Sequence, residues 1–168
     1  MTGRFRIEVL APEHDRASLE CGSAALDRYL RQQATQDMRR NTSVCYVAVD
    51  VQTEVVAGYY TLAASSVPLT DLAESVAKKL PRYPVVPVAR VGRLAVGHSF
   101  QGQQLGAALL WDAGLRAMRS GMGVFALLVD AKDEAAAAFY LHHGFIPFGI
   151  QPLHLVLPIA TLVKRTRA

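Results

Sequence analysis

At 168 residues with 51% apolar content, the chain can build one domain around a hydrophobic core but is too short for two ordinary ones, and it is not a disordered protein. Its net charge of +4 comes chiefly from arginine, fourteen Arg against four Lys, and arginine is the better partner for phosphates and bases. An ordinary basic soluble protein fits that charge as readily as a binder of nucleic acid does.

No apolar run approaches the roughly 18 residues that span a bilayer, so no membrane association is expected. The N-terminal Met1-Thr-Gly-Arg-Phe-Arg lacks the apolar stretch of a signal peptide. Cys21 and Cys45 stand apart, without metal-ligand spacing, and read as small apolar residues in a reducing compartment. A cytoplasmic protein without a metal site is the expectation.

In chain order, alternation over residues 5–10 predicts a first strand. Ser23 is a plausible N-cap for one helix running to about Arg40, with Leu26, Leu30 and Ala34 on one face, Tyr29 and Gln33 beside them, and Arg28, Arg31, Arg39 and Arg40 elsewhere. Residues 44–49 and 55–62 are β-prone and joined by a hairpin loop, and Ser66–Pro68 is expected to break the pattern. A short helix is predicted near residues 70–80. Pro81, Pro84 and Pro87 are expected to prevent regular structure until a central strand begins at Val88 and runs to Val96.

Leu105 opens a helix ending near Gly121 or Gly123, with Leu105, Ala108, Trp111, Leu115 and Met118 at helical spacing. Residues 124–129 form a continuous apolar run, as in a strand buried on both faces. An Ala-rich helix over 133–143 is closed by Gly144, and residues 145–148 and 153–157 are the last strands. The tail Lys164-Arg-Thr-Arg167 is basic. The order βαββαβαβαββ suggests one mixed sheet with helices on both faces and a single domain over 1–168.

The joint between the central strand and the next helix is Gln101-Gly102-Gln103-Gln104-Leu105-Gly106. Gly102 permits positive φ, and Gly106 lets a ligand lie against the helix start, where backbone N–H groups and the positive end of the helix dipole attract phosphate. Taken alone, a bland strand–turn–helix joint is equally compatible. The second element is Ala135-Ala-Ala-Ala-Phe-Tyr-Leu-His-His-Gly-Phe145, in which Tyr140 reads either as a half-buried core tyrosine or as a proton donor.

In order and separation, these two elements resemble the GNAT family of acetyltransferases, and the likeness extends over nearly the whole chain. It implies an α+β fold: a mixed, largely antiparallel sheet of six to seven strands with about four helices, splayed at its two parallel central strands. It also implies acetyl-CoA as co-substrate. The backbone of Leu94, Ala95 and Val96 would hold the pantetheine arm and polarise the thioester carbonyl. Gln101, Gly102, Gln104, Leu105, Gly106 and Ala107 would hold the pyrophosphate, with Asp133 and Phe139 as further cofactor contacts. Tyr140 would protonate the departing thiolate, a feasible transfer between ordinary phenol and thiol groups of pKa about 10 and about 8.5. Where the family has its first motif glycine this chain has Gln104, expected to offer its N–H in a helical conformation. Asp133 stands where many members have Asn. His98, His142 and His143 are weaker candidates for a base.

Many family members carry a Glu on the central strand as general base, whereas Val91-Gly-Arg-Leu-Ala-Val96 offers Arg93. Its absence suggests an amine already largely neutral. An alkylamine near about 10.4 is protonated at neutral pH, and an α-amine near about 7.7–8.0 much less so. That favours aminoacyl esters over lysine or polyamines.

Cys21-Gly-Ser-Ala-Ala-Leu-Asp-Arg-Tyr-Leu30, residues 80–95 and Val129-Asp-Ala-Lys-Asp-Glu-Ala135 narrow the resemblance to the TacT-type toxins. This implies acetylation of the α-amine of aminoacyl-tRNA, a block of translation, and a ribbon-helix-helix antitoxin that alone contacts operator DNA. The high apolar content suggests a homodimer or a covered face. Arg39, Arg40, Lys78, Lys79, Arg82, Arg90 and Arg93 are the candidates to meet RNA phosphates, with one or both of Arg90 and Arg93 facing the cleft. The alternatives are a GNAT enzyme of small-molecule amines and a non-catalytic GNAT fold that only binds a protein partner.

Overall fold

Two β-prone runs joined by a short polar loop form the hairpin on which the sheet is built. In the computed structural model, which describes residues 3–167 and side chains as far as Lys164, β1 (Phe5–Val9) pairs antiparallel with β2 (Val44–Asp50), and β2 pairs antiparallel with β3 (Val56–Pro68). Glu54 takes φ 57° in the hairpin loop, and the Asp50 N–H donates to the Val55 carbonyl at 2.9 Å. The sheet has seven strands in the order β1-β2-β3-β4-β5-β7-β6. Of these, β4 (Val85–Val96) and β5 (Ala126–Asp130) run parallel, while β7 (His154–Pro158) pairs antiparallel with both β5 and β6 (Ile146–Pro147). This is the mixed sheet expected. The β4–β5 ladder covers only Val88–Val91 and Ala126–Val129, so β4 continues five residues, 92–96, beyond it.

Both long strands exceed their expected limits. β3 continues through Ser66 to Pro68 because the period-two pattern persists: Val67 is buried while Ala64, Ser66 and Pro68 are exposed. Proline at the last position sacrifices no ladder donor. β4 begins at Val85 and contains Pro87, whose carbonyl still accepts the Phe125 N–H at 2.9 Å. Proline removes a donor, not an acceptor.

The chain divides into two compact units, Met1–Ala63 with Gly92–Ala113, and Ala64–Val91 with Gly114–Ala168. In the first, α1 (Ala24–Gln32) and α2 (Ala34–Arg39) replace the single helix expected. Ser23 caps α1, its hydroxyl accepting the Leu26 N–H at 3.3 Å, and Gln33 at φ −121° breaks the run. Leu19, Tyr29, Leu30, Ala34, Cys45, Val47, Val49, Val56 and Tyr59 form the core of this unit.

In the second unit, the helix expected near residues 70–80 is a 3-10 turn, Leu69–Asp71, followed by a single helical turn α3 (Glu74–Ala77), because Leu72 between them is extended. α5 (Glu134–His142) is capped by Asp133 and closed by Gly144 at φ 95°. A further helix, α6 (Ile159–Arg167), occupies the stretch read as a tail, although the side chains of residues 165–167 of that basic run lie outside those described. Pro158 suits the residue ahead of a helix start, and Ile159 and Leu162, three apart, are buried. Against about four helices expected, the described residues form six, α4 (Leu105–Met118) running from one unit into the other. Val67, Leu69, Leu72, Val86, Val88, Ala126, Leu128, Phe148 and Val156 form the second core.

Candidate active site

In the first unit, the candidate site is the end of β4 and the turn after it. The Gly97 N–H donates to the Ala57 carbonyl of β3 at 2.8 Å, and a Cβ on Gly58 would lie 2.6 Å from the Ala95 carbonyl oxygen. Backbone groups alternate along a strand, so Leu94 and Val96 turn theirs to the opposite edge, where β4 has outrun its ladder. That edge can accept an extended, amide-bearing chain. The Gln101 side-chain amide donates to the Val96 carbonyl at 3.2 Å and to the Cys21 carbonyl at 3.5 Å, so this side chain braces the turn.

Gly102 has φ 78° with open space where a Cβ would stand. Gln104 has φ 64°, left-handed, which corrects the helical conformation expected of it. This explains the family's glycine physically: the position lies in the region that only glycine enters freely. The first bond of α4 runs from the Ala108 N–H to the Gln104 carbonyl at 3.1 Å. The N–H groups of Leu105, Gly106 and Ala107 therefore lack intrahelical acceptors and point out of the N-terminus of a 14-residue helix, while the buried Leu105 side chain fixes the turn. Such a cluster at the positive end of a helix dipole suits a pyrophosphate.

The second sequence element lies on α5, in the second unit. Tyr140 is buried, with its ring edge-on to Phe139 and Phe145 at 5.3 Å each. Burial pushes its phenol up to about 12. The hydroxyl makes no hydrogen bond with the described residues, yet it is not a sealed, unsatisfied atom. It can therefore donate to a ligand. Phe139 is half-buried and packs on His143 at 4.7 Å. The Asp133 carboxylate accepts the Ala136 N–H at 2.8 Å, a helix-capping role. His142 and His143 stand at the end of α5. His98 instead lines a cavity of about 120 Å³ in the first unit, with Ser18, Glu20, Val55, Ser99 and Phe100 among its neighbours.

Arg39, Arg40 and Arg93 are exposed on the first unit, and Lys78, Lys79, Arg82 and Arg90 on the second. The two strand arginines differ, which corrects their treatment as a pair. The Arg90 guanidinium is engaged by the Asp130 carboxylate, which His154 also contacts at 3.1 Å. The Arg93 guanidinium lies 3.7 Å above the ring of Tyr29 and forms no hydrogen bond or ion pair among the described residues. The Tyr29 hydroxyl donates to Asp37 at 2.6 Å, and the Gln33 amide donates to the same carboxylate at 3.0 Å. Sequence reasoning misses this network, although Tyr29, Gln33 and Asp37 at four-residue spacing are its signal.

Among the described residues, no group of three or more His, Cys, Asp or Glu side chains could hold a metal ion, and no helix is long and apolar enough to cross a membrane.

A free β4 edge leading to the N–H cluster of a long helix defines a site for a phosphate-bearing, amide-linked donor. Residues 41–147 match the family model described as acetyltransferase (GNAT) domain. The chain is 35% identical to the tRNA-acetylating toxin of Mycobacterium tuberculosis (strain ATCC 25618 / H37Rv), covering 100% of this chain and 98% of that protein. It resembles the structure of AtaT complexed with acetyl-methionyl-tRNAfMet at TM-score 0.88 and 30% identity, over 98% of this chain and 99% of that one. It also resembles a Tyr-to-Phe mutant of AtaT bound to the C-terminus of the antitoxin AtaR and acetyl-CoA, at TM-score 0.81 and 27% identity, over 99% and 100%. The chain belongs to the GNAT acetyltransferase family and, within it, to the TacT-type toxins. It is an acetyltransferase with acetyl-CoA as co-substrate.

Proposed function

We propose that this protein moves the acetyl group of acetyl-CoA to the α-amine of an aminoacyl-tRNA and so blocks translation. The observation that carries the choice of amine is on β4: the strand that leads into the N–H cluster bears an exposed arginine and no carboxylate. Without a strand base, the acceptor must be an amine that is already neutral for much of the time. The similarity to a tRNA-acetylating toxin over the full chain supports the same substrate.

In this reading residues 1–168 serve as one acetyltransferase domain. The N–H groups of Leu105, Gly106 and Ala107 hold the pyrophosphate, with the turn at Gly102 and Gln104 shaping the cradle. The backbone of Leu94 and Val96 aligns the pantetheine arm, and the Val96 N–H polarises the thioester carbonyl. The neutral α-amine attacks that carbonyl carbon; the C–N bond forms, the C–S bond breaks, and the amine's surplus proton passes to water. Tyr140 donates to the sulfur as it leaves. Between ordinary groups of about 10 and about 8.5 the transfer is already slightly uphill, and with the phenol pushed up to about 12 complete transfer to the thiolate is more so. Tyr140 acts chiefly as a hydrogen-bond donor to the developing charge, and its raised pKa keeps it in the donor form.

The partner that silences the toxin is a ribbon-helix-helix antitoxin, which alone reads operator DNA. The toxin itself pairs as a homodimer and works in the cytoplasm. Light scattering of the purified protein, alone and with antitoxin, tests the stoichiometry.

The deciding experiment incubates the protein with labelled acetyl-CoA and total charged tRNA. Label is expected on aminoacyl-tRNA, and Tyr140→Phe should lower kcat on the order of 10²–10³-fold, the usual cost of removing one hydrogen-bond donor to a developing charge. Label on free amines alone would favour a small-molecule enzyme.

A further inference from the structure

We propose that Tyr29 and Asp37 are positioning residues that hold the Arg93 guanidinium as a preorganised clamp for one phosphodiester of the RNA bearing the acceptor amine. The proposal rests on aminoacyl-tRNA being the substrate, and it assigns roles to two residues outside the acetyl-transfer machinery.

The geometry is built in layers within one unit. The Tyr59 hydroxyl donates to the Leu26 carbonyl at 2.6 Å, anchoring its ring to α1. Tyr29 stacks on Tyr59, with ring centroids 6.3 Å apart and planes 13° from parallel. Tyr29 is itself only 7% exposed, and its hydroxyl is tied to Asp37, which Gln33 braces from the other carboxylate oxygen. The shelf is thus held from one ring face and from its hydroxyl. Arg93 lies flat on it at 3.7 Å, a separation at which a guanidinium is attracted to the ring face.

One face of the guanidinium is covered, while its N–H edge has no acceptor among the described residues. A planar fork already fixed in orientation loses little rotamer freedom when it grips two phosphate oxygens. Arg90 serves as the internal contrast. It lies on the same strand and is also exposed, but its guanidinium is committed to Asp130. Asp37 attracts the Arg93 charge but makes no ion pair with it, its oxygens accepting instead from Tyr29 and Gln33, so the N–H edge of the guanidinium is left to a ligand.

The test is steady-state kinetics of the full chain with aminoacyl-tRNA at several salt concentrations. Arg93→Gln and Arg93→Lys, both at an exposed position, should each raise KM for aminoacyl-tRNA about tenfold, since lysine keeps the charge but cannot lie as a plane on the ring. Arg93→Gln should reduce the slope of log KM against log salt by about one unit, the loss of one phosphate contact, and Arg93→Lys by less, while both leave KM for acetyl-CoA unchanged. Tyr29→Leu should reproduce these effects without adding to those of Arg93→Gln in the double variant. Tyr29→Phe and Asp37→Ala, which keep the ring but untie it from α2, should each fall between the wild type and Tyr29→Leu.

Wild-type kinetics in Arg93→Lys overturn the clamp whether or not Tyr29→Leu folds. So does a raised KM for acetyl-CoA with unchanged aminoacyl-tRNA kinetics, which would put the phosphate on the donor. A wild-type protein that acetylates no aminoacyl-tRNA overturns the underlying reading and the clamp with it. An active wild type indifferent to these substitutions overturns the clamp alone.

Discussion

Gln104 carries a local conflict that can be measured. It sits at φ 64° immediately before α4, exposed, with no side-chain partner among the described residues. A non-glycine residue in this region costs about 1–2 kcal/mol, and glycine gives back about 0.4–1 kcal/mol through the freedom it adds to the unfolded chain. Gln104→Gly should therefore be stabilising by about 0.5–1 kcal/mol net, a rise of roughly 2 °C in melting temperature for a chain of this size. It should also lower KM for acetyl-CoA, because a side chain leaves the cradle. A lower melting temperature would show that the turn does not hold the left-handed geometry in solution. Tyr140→Phe should behave in the opposite sense: its hydroxyl has no partner among the described residues, so melting changes little while turnover falls.

At the scale of elements, the cradle depends on how closely β3 approaches β4. A Cβ on Gly58 would stand 2.6 Å from the Ala95 carbonyl oxygen, a backbone atom that no rotamer change can move away. Gly58→Ala should destabilise by about 1–3 kcal/mol through overpacking and raise KM for acetyl-CoA, since the strand that aligns the pantetheine arm must shift. Chemical denaturation and initial rates check both parts. Gly114 is a gentler case, because its nearest obstacle is a terminal methyl of Leu162. The sequence made the strand–turn–helix joint and the Ala-rich helix readable because both depend on local pattern: apolar runs, Ser23 and Asp133 caps, and Gly144 at a helix end. It hid what depends on distant partners. The extension of β3 past Ser66 follows from Val67 finding a core, and α6 from Leu162 packing under α4. The difference between Arg90 and Arg93 lies entirely in which side chain, Asp130 or Tyr29, the fold brings beside each.

Across the whole molecule, the tyrosines and the buried thiol define a stability limit that activity should follow. Burial pushes Cys45 and Tyr140 each up to about 12, from ordinary values of 9.0 and 10.0, and also raises Tyr29 and Tyr59. Below the ordinary values, both the folded and unfolded chains keep these protons, and the stability is fully present. Above them the unfolded chain releases its protons first, so stability is lost progressively from about pH 9 until the folded groups titrate near about 12. For the two well-buried groups together the loss should reach several kcal/mol, since each tenfold difference in proton affinity between the folded and unfolded chains is worth about 1.4 kcal/mol. Catalysis has a different dependence. On the acid side it should rise as the acceptor α-amine becomes neutral, up to about pH 8. Ionisation of Tyr140 cannot set the alkaline limb, because its phenol stays protonated until the fold is already weakened. The pH profile of kcat/KM should therefore fall in step with the denaturation midpoint above about pH 9, and Tyr140→Phe should retain the same alkaline fall in its residual activity. An alkaline limb that disappears in Tyr140→Phe, with the denaturation midpoint unchanged, would place the phenol's ionisation far below 12 and return Tyr140 to the role of a full proton donor.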